Sequence, residues 1–512
     1  MTPLRFALAT LALAGAAHAQ MPSVWNINSD YHFGSIQMFV PNPGSPPGAD
    51  EGFLASRGTL DLDTDHTWSL TQTDHEVLAD LSVTNQPDTA GGTYAITPDA
   101  RILFDANPSN PGTDVFEAMV DRDVAYIMSA RNQASEGSWL TVATLASAGR
   151  TTANLNGTFR IRSFGVEYPD LNGIVTLTLN GTATFDGGGN MSITGQEEEV
   201  DAFHVSTINM ISGSETYSVS PNGALQIGTE AFGGMSWDGE FFFVVGFDPM
   251  GTYSELVVGV KIPDTNDLTT VEGDWAVFGK TCEAGLLNGP RTQTRWAIAE
   301  VHANGSSSGT FTMAGDEYTS DALGVSSTPI AFNGGVAAAG PNRFTLSTGG
   351  GSQTFDFSPS GHVMIGGELD GTTNLTLAMR TCPGSMEYGT ATPGTGGIAP
   401  TATMEAFPVL GGSFFALGAI DALPFSTAGL LITLGELPGV PVLGGTLWVD
   451  PGRLIAVPPQ TVDPLGEARW LLTPPSDPVW LSHDLFTQVL VIDPAAPGGL
   501  AMSKGLRTAW CK

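Results

Sequence analysis

Four short segments recur three times, in the same order, along this chain of 512 residues. Tyr94 and Tyr217 stand 123 positions apart, and Asp63 and Asp186 are separated by the same distance. The recurring segments are an aromatic opening strand (31–33, 157–159 and 273–275), a hairpin (58–70, 181–193 and 296–313), a segment led by a large aromatic residue (Tyr94, Tyr217 and Phe344) and a closing strand (140–142, 256–258 and 375–377). A constant order and a nearly constant offset predict three tandem copies of one structural unit.

Apolar and polar residues alternate inside each copy, as at Trp68 and Leu70 or at Met191 and Ile193. This period of two is typical of a β-strand with one buried face. Turn residues divide each copy into about eight strands, expected in the first copy near residues 31–40, 54–62, 67–71, 77–84, 92–97, 100–105, 123–129 and 139–145. Eight short strands in up-and-down order have exposed edges unless the sheet closes, so each unit is expected to be a barrel-like antiparallel meander.

The unit resembles the meander barrels of lipocalins and avidins in the number and order of its strands. The resemblance implies the fold alone, a closed barrel whose interior is filled by side chains or holds one small ligand. No lipocalin signature sequence occurs in the chain, so the resemblance implies no particular ligand.

The composition changes after Cys382. Residues 383–400 are rich in Gly, Pro and Thr, which is typical of a linker, and residues 401–512 contain short apolar segments separated by Pro and Gly. This pattern predicts a C-terminal β-sandwich of about seven strands. The segments 388–397 and 488–494 resemble a C-terminal module of secreted bacterial multi-domain β proteins; the resemblance implies an appended extracellular module and no activity.

The N-terminus has the three parts of an export signal. Arg5 supplies the positive charge, an apolar run follows from Phe6 to Ala17, and Ala17-His18-Ala19 is a small-residue cleavage site. The chain is therefore expected to be all-β and to comprise a signal peptide (1–19), three units (20–150, 151–265 and 266–382), a linker (383–400) and a β-sandwich (401–512). We expect a secreted protein, extracellular or on the cell surface, with the periplasm as the alternative. No later run of 18 apolar residues predicts a membrane helix.

The chain carries 19 basic and 52 acidic residues, a formal net charge of −33. Because like charges repel, this balance argues against DNA, RNA and anionic lipid as partners. Three cysteines cannot all pair within one chain. Cys282 and Cys382 are expected at opposite ends of one barrel, too far apart for a disulfide, so the favoured pair is Cys382 with Cys511, which bracket the last domain.

Two acidic segments are weak candidates for a Ca²⁺ site, and the alternative for both is a solvated turn or strand. The candidate ligands are Asp61, Asp63 and Asp65 in the first segment, and Glu197, Glu199 and Asp201 in the second. An EF-hand needs Gly and Glu where the first segment has His66 and Gln72. The second is not expected to form a glycosidase pair, because adjacent strand residues point to opposite faces. No other cofactor is expected.

Two further motifs are interpreted structurally. Gly305 to Gly309 matches the G-x-S-x-G pattern of a hydrolase nucleophile, but that pattern requires a following helix, and strand residues from Thr310 to Met313 follow here. We therefore predict a hairpin turn. The run from Phe241 to Val245 is apolar on both faces and predicts a strand buried between two units; a ligand-facing patch is the alternative.

No catalytic set of residues emerges from these patterns. The leading hypothesis is a non-catalytic secreted or cell-surface protein with a binding, adhesive or structural role, whose ligand is a glycan, a small apolar molecule or another surface protein. One alternative is a secreted hydrolase with a site built from distant carboxylates. The other is an outer-membrane β-barrel in which the predicted strands form one pore.

Overall fold

The computed structural model describes most of the chain between residues 27 and 510. The residues outside its description are 1–26, 28, 40–51, 64, 97–100, 107–114, 122–124, 134–136, 171–172, 250, 264–266, 284–290, 322–323, 349–350, 370–371, 382–384, 407, 409–414, 456, 476–479, 481–483 and 511–512. Strands dominate the described part, and its helical segments are short 3₁₀ turns at Thr152–Asn154, Leu268–Val271, Thr395–Gly397, Pro451–Arg453 and Pro497–Gly499. Among these residues no helix is long and apolar enough to span a bilayer.

The first eight strands form a closed antiparallel barrel, barrel 1, in which each strand pairs with the next and the last pairs with the first. Its strands are β1 (Ser29–Phe39), β2 (Gly52–Leu62), β3 (Thr67–Leu78), β4 (Val83–Ile96), β5 (Arg101–Asp105), β6 (Val115–Val120), β7 (Tyr126–Gln133) and β8 (Gly137–Leu145). Closure removes most of the open edges that a meander of this length would otherwise expose.

Two more barrels repeat this topology. Barrel 2 comprises β9 (Asn156–Asp170), β10 (Gly173–Asp186), β11 (Asn190–Val200), β12 (Ser206–Val219), β13 (Ala224–Ile227), β14 (Ala231–Met235), β15 (Phe241–Phe247) and β16 (Tyr253–Lys261). Barrel 3 comprises β17 (Gly273–Glu283), β18 (Arg291–Ala303), β19 (Ser308–Asp321), β20 (Gly324–Gly340), β21 (Arg343–Thr348), β22 (Gly351–Phe357), β23 (Val363–Gly366) and β24 (Thr373–Arg380). The predicted tandem meander units are confirmed, and their 24 strands form three rings of eight, not one pore.

Strand pairing shows which residues correspond in the three barrels. Because the pairing of the second with the third strand is regular in each barrel, Leu62 opposite Trp68, Phe185 opposite Met191 and Val301 opposite Phe311 mark equivalent positions. By the same registers, the inward-facing residues Tyr31, Phe159 and Trp275 correspond on the opening strands.

Two predicted details differ from the structure. In barrel 1, the strand expected at 77–84 instead covers the end of β3, the following turn and the start of β4, and β6 was not expected. The counterpart of Tyr94 and Tyr217 in barrel 3 is Val336, because Phe344 lies on the following strand, β21. The likeness of Phe344 to the two tyrosines was misleading because barrel 3 anchors its closed end differently. There, Trp275 and not a tyrosine holds the preceding segment.

One end of each barrel is closed by the segment that precedes its first strand. The Tyr94 hydroxyl donates to the carbonyl oxygen of Ile27 (3.0 Å), and the Tyr217 hydroxyl donates to that of Leu155 (2.6 Å). In barrel 3 the Trp275 indole donates to the Val271 carbonyl (2.8 Å).

The barrels pack in a closed triangle through apolar outer faces. The last strand of barrel 1 contacts the second strand of barrel 3, the last strand of barrel 3 contacts the second strand of barrel 2, and the last strand of barrel 2 contacts the first strand of barrel 1. This head-to-tail order closes a ring within a single chain, as a cyclic trimer would between chains. The shared core between the barrels includes Ile36, Met38, Phe164, Phe243, Phe278 and Leu377.

Hydroxyl pairs mark the approximate threefold symmetry of this triangle. Ser138 of barrel 1 donates to Thr292 of barrel 3 (2.7 Å), and Thr373 of barrel 3 donates to Thr176 of barrel 2 (2.6 Å) at the equivalent contact. At the third contact, the residue equivalent to Ser138 and Thr373 is Ser254 of barrel 2. Phe53 takes the place of the threonine there, and the buried Ser254 hydroxyl has no hydrogen-bond partner among the described residues.

The strand from Phe241 to Phe247 confirms the prediction for the apolar run. Phe242 and Val244 point into barrel 2, whereas Phe241, Phe243 and Val245 lie in the core shared between barrels. Both faces of the strand are therefore buried. The predicted hairpin at Gly305–Gly309 is also confirmed, since this segment connects β18 to β19.

Gly34 allows β15 of barrel 2 to approach barrel 1 closely. A Cβ atom at this position would lie 2.6 Å from Val245 Cγ2 and 2.9 Å from the Phe243 ring. We predict that Gly34→Leu separates barrels 1 and 2 and destabilises the chain by about 1–3 kcal/mol, the usual cost of overpacking. Urea unfolding measures this loss, with Gly335→Ala as a control because a Cβ atom there meets no neighbour and the backbone is not in the left-handed region. Equal stability of the Gly34→Leu and wild-type proteins would contradict the close approach.

The C-terminal region forms three smaller sheets. Their strands are β25 (Ser385–Tyr388), β26 (Thr401–Ala406), β27 (Phe415–Ile420), β28 (Thr427–Thr433), β29 (Glu436–Val442), β30 (Gly445–Val449), β31 (Gln460–Thr461), β32 (Ala468–Leu472), β33 (Asp484–Ile492), β34 (Leu500–Met502) and β35 (Gly505–Ala509). A six-stranded sheet and a three-stranded sheet share one apolar core, to which Leu430, Val489, Leu417 and Trp470 contribute. The segment predicted as a linker includes β25, which pairs with β35.

Candidate functional site

Barrel 1 encloses a cavity of about 330 Å³. Its wall consists of inward-facing residues from seven strands: Phe33, Ser35, Gln37, Leu54, Ser56, Leu60, Trp68, Leu70, Gln72, Phe104, Phe116, Ala118, Ile127, Ser129, Trp139, Thr141 and Ala143. None of these side chains is charged. The alternation along each strand produces this wall, because every second residue points inward.

Aromatic rings form the wall of this cavity near the closed end of the barrel. The Trp68 ring meets the rings of Phe104 and Phe116 edge-on, with centroid separations of 5.6 and 5.5 Å. Phe104 and Phe116 are stacked 4.6 Å apart. These contacts fix the rings in place, so the apolar surface is preorganised for a flat or aliphatic ligand group.

Polar side chains contribute the rest of the wall. The Thr141 hydroxyl donates to Ser35 Oγ (2.9 Å), and the Ser129 hydroxyl donates to the Glu117 carbonyl oxygen (2.6 Å). Trp139 is partly exposed beside them. The cavity thus combines an apolar wall with uncharged hydrogen-bonding groups.

Barrel 3 encloses a cavity of similar size, about 320 Å³. Its lining is Val277, Arg295, Ala299, Val301, Phe311, Met313, Phe332, Phe344, Leu346, Thr348, Gly351, Ser352, Gln353, Phe355, Met364 and Thr376. The two cavities occupy corresponding interiors, but only this one contains a charged side chain among its lining residues. The barrel 1 residue that corresponds to Arg295 is Ser56.

Arg295 gives the cavity of barrel 3 a cationic group. Its Nη2 donates to Glu317 Oε2 (2.8 Å), and its guanidinium lies 5.7 Å from the centre of the Phe332 ring. The Arg295 Nε atom is buried and has no hydrogen-bond partner among the described residues. A ligand with a carboxylate or another acceptor group would satisfy this donor.

An acidic residue occupies one equivalent inward-facing position in all three barrels: Asp74, Glu197 and Glu317. Each acid has different neighbours. Glu317 pairs with Arg295, whereas Asp74 accepts hydrogen bonds from Gln72 (3.0 Å) and from Ser56. Burial raises the pKa of Asp74. The position is therefore chemically different in each barrel, although the backbone is the same.

In barrel 2 the same acid belongs to a group of four glutamates. Glu197 and Glu199 of β11 face the barrel interior. Glu167 of β9 and Glu255 of β16, two strands that pair with each other, also face the interior. The Tyr253 hydroxyl donates to Glu255 Oε2 (2.6 Å). Adjacent residues of the acidic run point to opposite faces, whereas Glu197 and Glu199, which are two positions apart, share the inner face.

Burial disfavours ionisation of three of these glutamates, Glu167, Glu197 and Glu255, and repulsion from neighbouring carboxylates adds to this effect at Glu167 and Glu197. Burial raises the pKa of Glu255, and burial followed by the charges of Glu255, Glu199 and Glu167 raises the pKa of Glu197. Burial and the charge of Glu199 also raise the pKa of Glu167. The interior of barrel 2 therefore takes up protons more readily than free glutamates would.

We predict that Glu197→Gln stabilises the protein at neutral pH. The folded-state pKa of Glu197 is raised above its unfolded value, so the ionised side chain costs stability at pH 7, and this cost declines as the pH falls through the folded pKa. Because the side chain is only half-buried, we expect about 1 kcal/mol after solvent screening, or a rise of roughly 2–4 °C in melting temperature.

Thermal unfolding at pH 7 and pH 5 measures this effect, and the advantage of Glu197→Gln should shrink at the lower pH. Glu215→Gln is the matched control, because Glu215 is exposed on the neighbouring strand β12. A lower melting temperature for Glu197→Gln at pH 7 would contradict the repulsion.

The first set of predicted Ca²⁺ ligands is dispersed around a hairpin. Asp61 lies on β2, and burial together with a hydrogen bond to Asp30 raises its pKa. Asp65 Oδ1 accepts from the Thr67 hydroxyl (2.6 Å) and the Thr67 N–H (3.1 Å), which stabilises the turn and lowers the pKa of Asp65. The Asp63 backbone also belongs to this turn, accepting from Tyr94.

The second set is divided between two environments. Glu197 and Glu199 point into barrel 2, while Asp201 caps the following turn by accepting from the N–H groups of Phe203 (2.8 Å) and Val205 (2.9 Å). Within the described parts of the chain, no three His, Cys, Asp or Glu side chains are arranged to hold a metal ion. Cys382 and Cys511, the predicted disulfide pair, lie outside the described residues. Cys282 is fully buried between the barrels.

Sequence reasoning did not find the residues that line the cavities. Their only local signal is strand alternation, which identifies an inner face but not whether side chains fill the space across the barrel. The acids at Asp74 and Glu197 could have been found, since they are separated by the repeat offset of 123. Arg295 gives no such signal, because its counterparts Ser56 and Leu179 are uncharged.

Comparison with known proteins adds little to this description. No protein-family model and no curated protein matches the chain. Among solved structures, a bacterial polysaccharide outer membrane secretin is 6% identical over 69% of this chain and 98% of its own, with a TM-score of 0.14. Transferrin binding protein B of Neisseria meningitidis serogroup B is 9% identical over 70% and 77%, with a TM-score of 0.15.

A third match, the outer membrane protein OmpT of Vibrio cholerae, is 7% identical over 69% of this chain and 98% of its own, with a TM-score of 0.10. At such TM-scores the superposed folds differ, so these three proteins supply no argument about function. The geometry of the barrels has to carry the functional argument.

Proposed function

We propose that this chain is a non-catalytic binding protein whose first and third barrels each hold one small, largely apolar molecule. The observation that carries the proposal is the pair of cavities of about 330 and 320 Å³ inside two barrels of the same fold. Ligand pockets usually begin at about 300 Å³, and a cavity of about 150 Å³ suffices for one benzene ring. Each barrel thus has room for a ligand of about two rings.

The chemistry of the two cavities favours different ligands. Barrel 1 offers aromatic rings with hydroxyl and amide groups, which suits a neutral molecule. Barrel 3 offers an apolar wall with the Arg295 guanidinium, which suits an apolar molecule with a carboxylate or sulfonate group. Glu317 shares that guanidinium, so an acidic ligand would compete with the internal ion pair.

Cavity-filling substitutions test the proposal barrel by barrel. Ala143 lines the cavity of barrel 1 and Ala299 lines that of barrel 3. N-phenyl-1-naphthylamine, a neutral fluorescent probe, should bind wild-type protein and lose its barrel 1 site in Ala143→Phe. The anionic probe 1-anilinonaphthalene-8-sulfonate should lose its site in Ala299→Phe. Each variant is the matched control for the other.

We expect each filled cavity to weaken its own probe by at least about tenfold, because the added ring occupies the space of the ligand. Titration by fluorescence and circular dichroism would separate loss of binding from loss of folding. Probe binding that is unchanged in the doubly substituted protein would refute a site inside the barrels.

We also propose that the protein acts outside the cytoplasm, on the basis of the N-terminal signal pattern and the net charge of −33. Expression of the full chain should yield an exported protein whose N-terminal sequence begins at Gln20. Recovery of the uncleaved chain from the cytoplasm alone would contradict this location.

One observation favours a second candidate function, hydrolysis catalysed by carboxyl groups. Four glutamates lie inside barrel 2, and the pKa values of Glu167, Glu197 and Glu255 among them are raised. A carboxyl with a raised pKa can act as a general acid near neutral pH. Release of 4-nitrophenol from aryl glycosides by the wild-type protein, abolished in Glu255→Gln, would support it. Activity that survives this substitution would assign the hydrolysis elsewhere.

A further inference from the structure

Each barrel has a long fourth strand that is only partly paired. In barrel 2, β12 pairs with β11 from Ser206 to Thr216, but it pairs with β13 only at Tyr217, Ser218 and Val219. Among the residues that the structure describes, no strand pairs with the other edge of 206–216. This edge is about 35 Å long at the usual rise of a strand. Barrels 1 and 3 leave equivalent stretches of β4 and β20 unpaired in the same way.

A proline interrupts this edge in two of the three barrels. The proline position is defined by its partners on the third strand, which are Thr73, Gln196 and Asp316. Each partner lies five residues after the residue aligned above, namely Trp68, Met191 and Phe311 respectively. The residues opposite them are Pro87 in barrel 1, Met210 in barrel 2 and Pro329 in barrel 3. Barrel 2 therefore lacks a proline at the position where its two neighbours have one.

Proline on an edge strand prevents another strand from pairing there, because it has no N–H to donate. Pro87 and Pro329 are paired with the third strand although proline has no N–H to donate. The N–H of a residue at this position therefore points away from the third strand, towards the free edge. In β12, Met210 keeps that N–H available. An additional strand could therefore pair with the edge of barrel 2 but not in the same way with those of barrels 1 and 3.

Four exposed apolar side chains lie on this edge and in the turn that precedes it. Met210 is 78% exposed and Ile208 is 52% exposed, and Phe203 and Val205 in the preceding turn are 61% and 56% exposed. Four large apolar residues within eight positions form an exposed patch beside unpaired backbone groups. Such a combination marks a surface for association.

Charge favours a second copy of this chain as the occupant. Residues 206–214 contain no charged side chain, although the chain as a whole carries a formal charge of −33. Two strongly acidic molecules repel each other over most of their surfaces, so they can approach most easily where both are neutral. The β12 edge provides such a segment on each copy.

We propose that two copies of this chain associate through antiparallel pairing of their β12 edges about a twofold axis. Centring the axis on Asn209 places Ile208 opposite Met210 of the partner subunit, so that the exposed apolar side chains cover each other. Backbone hydrogen bonds along the edge provide the affinity, and the apolar pairs fix the register. No residue of β12 lines the cavities of barrels 1 and 3, so the proposed dimer does not depend on the ligands proposed above.

Met210→Pro is the direct test, because it installs the residue that the other two barrels have at this position and so is compatible with the fold. Analytical ultracentrifugation should show a concentration-dependent dimer for the wild-type protein. The dissociation constant should rise at least about tenfold in Met210→Pro but little in Met210→Leu, which keeps both the N–H and the apolar side chain. Circular dichroism and binding of the naphthylamine probe would show that the barrels remain folded.

Cysteine cross-linking tests the register. Under mild oxidation, Asn209→Cys should form a disulfide-linked dimer more readily than Ser214→Cys, because only residue 209 faces its own copy across the axis. A wild-type protein that stays monomeric, a dimer that Met210→Pro leaves intact, or equal cross-linking at the two positions would each overturn the proposal. Binding of an extended peptide to a protein that stays monomeric would show a different occupant of the edge.

Discussion

Replacing Asp356 with alanine is expected to destabilise the chain by about 3–5 kcal/mol, because it leaves the buried Arg162 and the partly buried Arg343 and Arg160 without their common counter-charge. The fully buried Asp356 carboxylate accepts from Arg343 of its own barrel, at 2.7 and 3.0 Å, and from Arg162 of barrel 2, at 2.8 Å. Arg160 Nε lies 3.7 Å away. This carboxylate therefore joins barrels 2 and 3.

The pKa values of the arginines reflect this arrangement. Burial lowers the pKa of Arg162 to about 10, against the attraction of Asp356. The hydrogen bonds from Arg343 to Asp356 are the main reason that the pKa of Arg343 is raised. Without the Asp356 carboxylate, burial would still disfavour the charged form of these arginines, and the charge that compensates for burial would be lost.

Urea unfolding of Asp356→Ala and wild-type protein measures the loss. The control is Glu283→Gln, which removes an exposed ion pair with Arg291 (3.4 Å) in the same barrel and should cost less than about 1 kcal/mol. A similar small effect for both variants would contradict the assignment of Asp356 as the link between barrels 2 and 3.

Lys280→Met is expected to produce the opposite effect, a protein that is more stable at neutral pH. Lys280 is fully buried between the three barrels, where its ammonium donates to the Ser138 carbonyl oxygen (2.5 Å) and to Ser138 Oγ (2.8 Å). The ring centre of Phe164 lies 5.6 Å from it. The residues at the corresponding positions in barrels 1 and 2 are the apolar Ile36 and Phe164.

Burial lowers the pKa of Lys280 from 10.5 to about 7, and the smaller electrostatic effect of Cys282 opposes this shift. Between pH 10.5 and pH 7 the unfolded chain binds a proton that the folded chain does not, so stability falls as the pH decreases through this window. At pH 7 the cost is on the order of 3–5 kcal/mol. Methionine has no proton to bind, so Lys280→Met should recover most of this cost.

The difference in unfolding free energy between Lys280→Met and the wild type should shrink by about 1.4 kcal/mol per pH unit from pH 7 to pH 9. Urea unfolding at both pH values measures it, and comparison within each pH cancels the titration of other groups. Ser138 keeps its hydrogen bond to Thr292 in the variant. A destabilised variant, or a difference that does not change with pH, would contradict the burial of a charged lysine.

Much of the architecture could be predicted from the sequence because the repeat and the strand period are local patterns. The offset of 123 between Tyr94 and Tyr217 aligned barrels 1 and 2 correctly, since both tyrosines anchor the closed end. The run from Phe241 to Val245, which is apolar on both faces of its strand, also predicted correctly that the units pack against each other.

The remaining details depend on contacts that no local pattern records. The unpaired part of β4 lacks alternation because it is exposed on both faces, so the strands expected at 77–84 and 92–97 left out most of it. Val336 has no aromatic ring because Trp275 performs the anchoring in barrel 3. The correspondence of Pro87, Met210 and Pro329 became visible only when the strand registers aligned the barrels.

The candidate site was less predictable than the fold for the same reason. A cavity depends on the sum of side-chain volumes from strands far apart in the sequence, and Arg295 has no charged counterpart in the other repeats. The four glutamates of barrel 2 were partly visible as the run at Glu197, but Glu167 and Glu255 join them only through pairing with β9 and β16.

The most direct test of the account is a crystal structure of the mature chain soaked with 1-bromonaphthalene, an apolar two-ring molecule whose bromine can be located by anomalous scattering. The account predicts bromine peaks inside barrels 1 and 3, beside the rings of Trp68 and Phe344 that belong to the two cores. Peaks confined to the outer surfaces or to the core between the barrels would contradict binding in the barrel interiors.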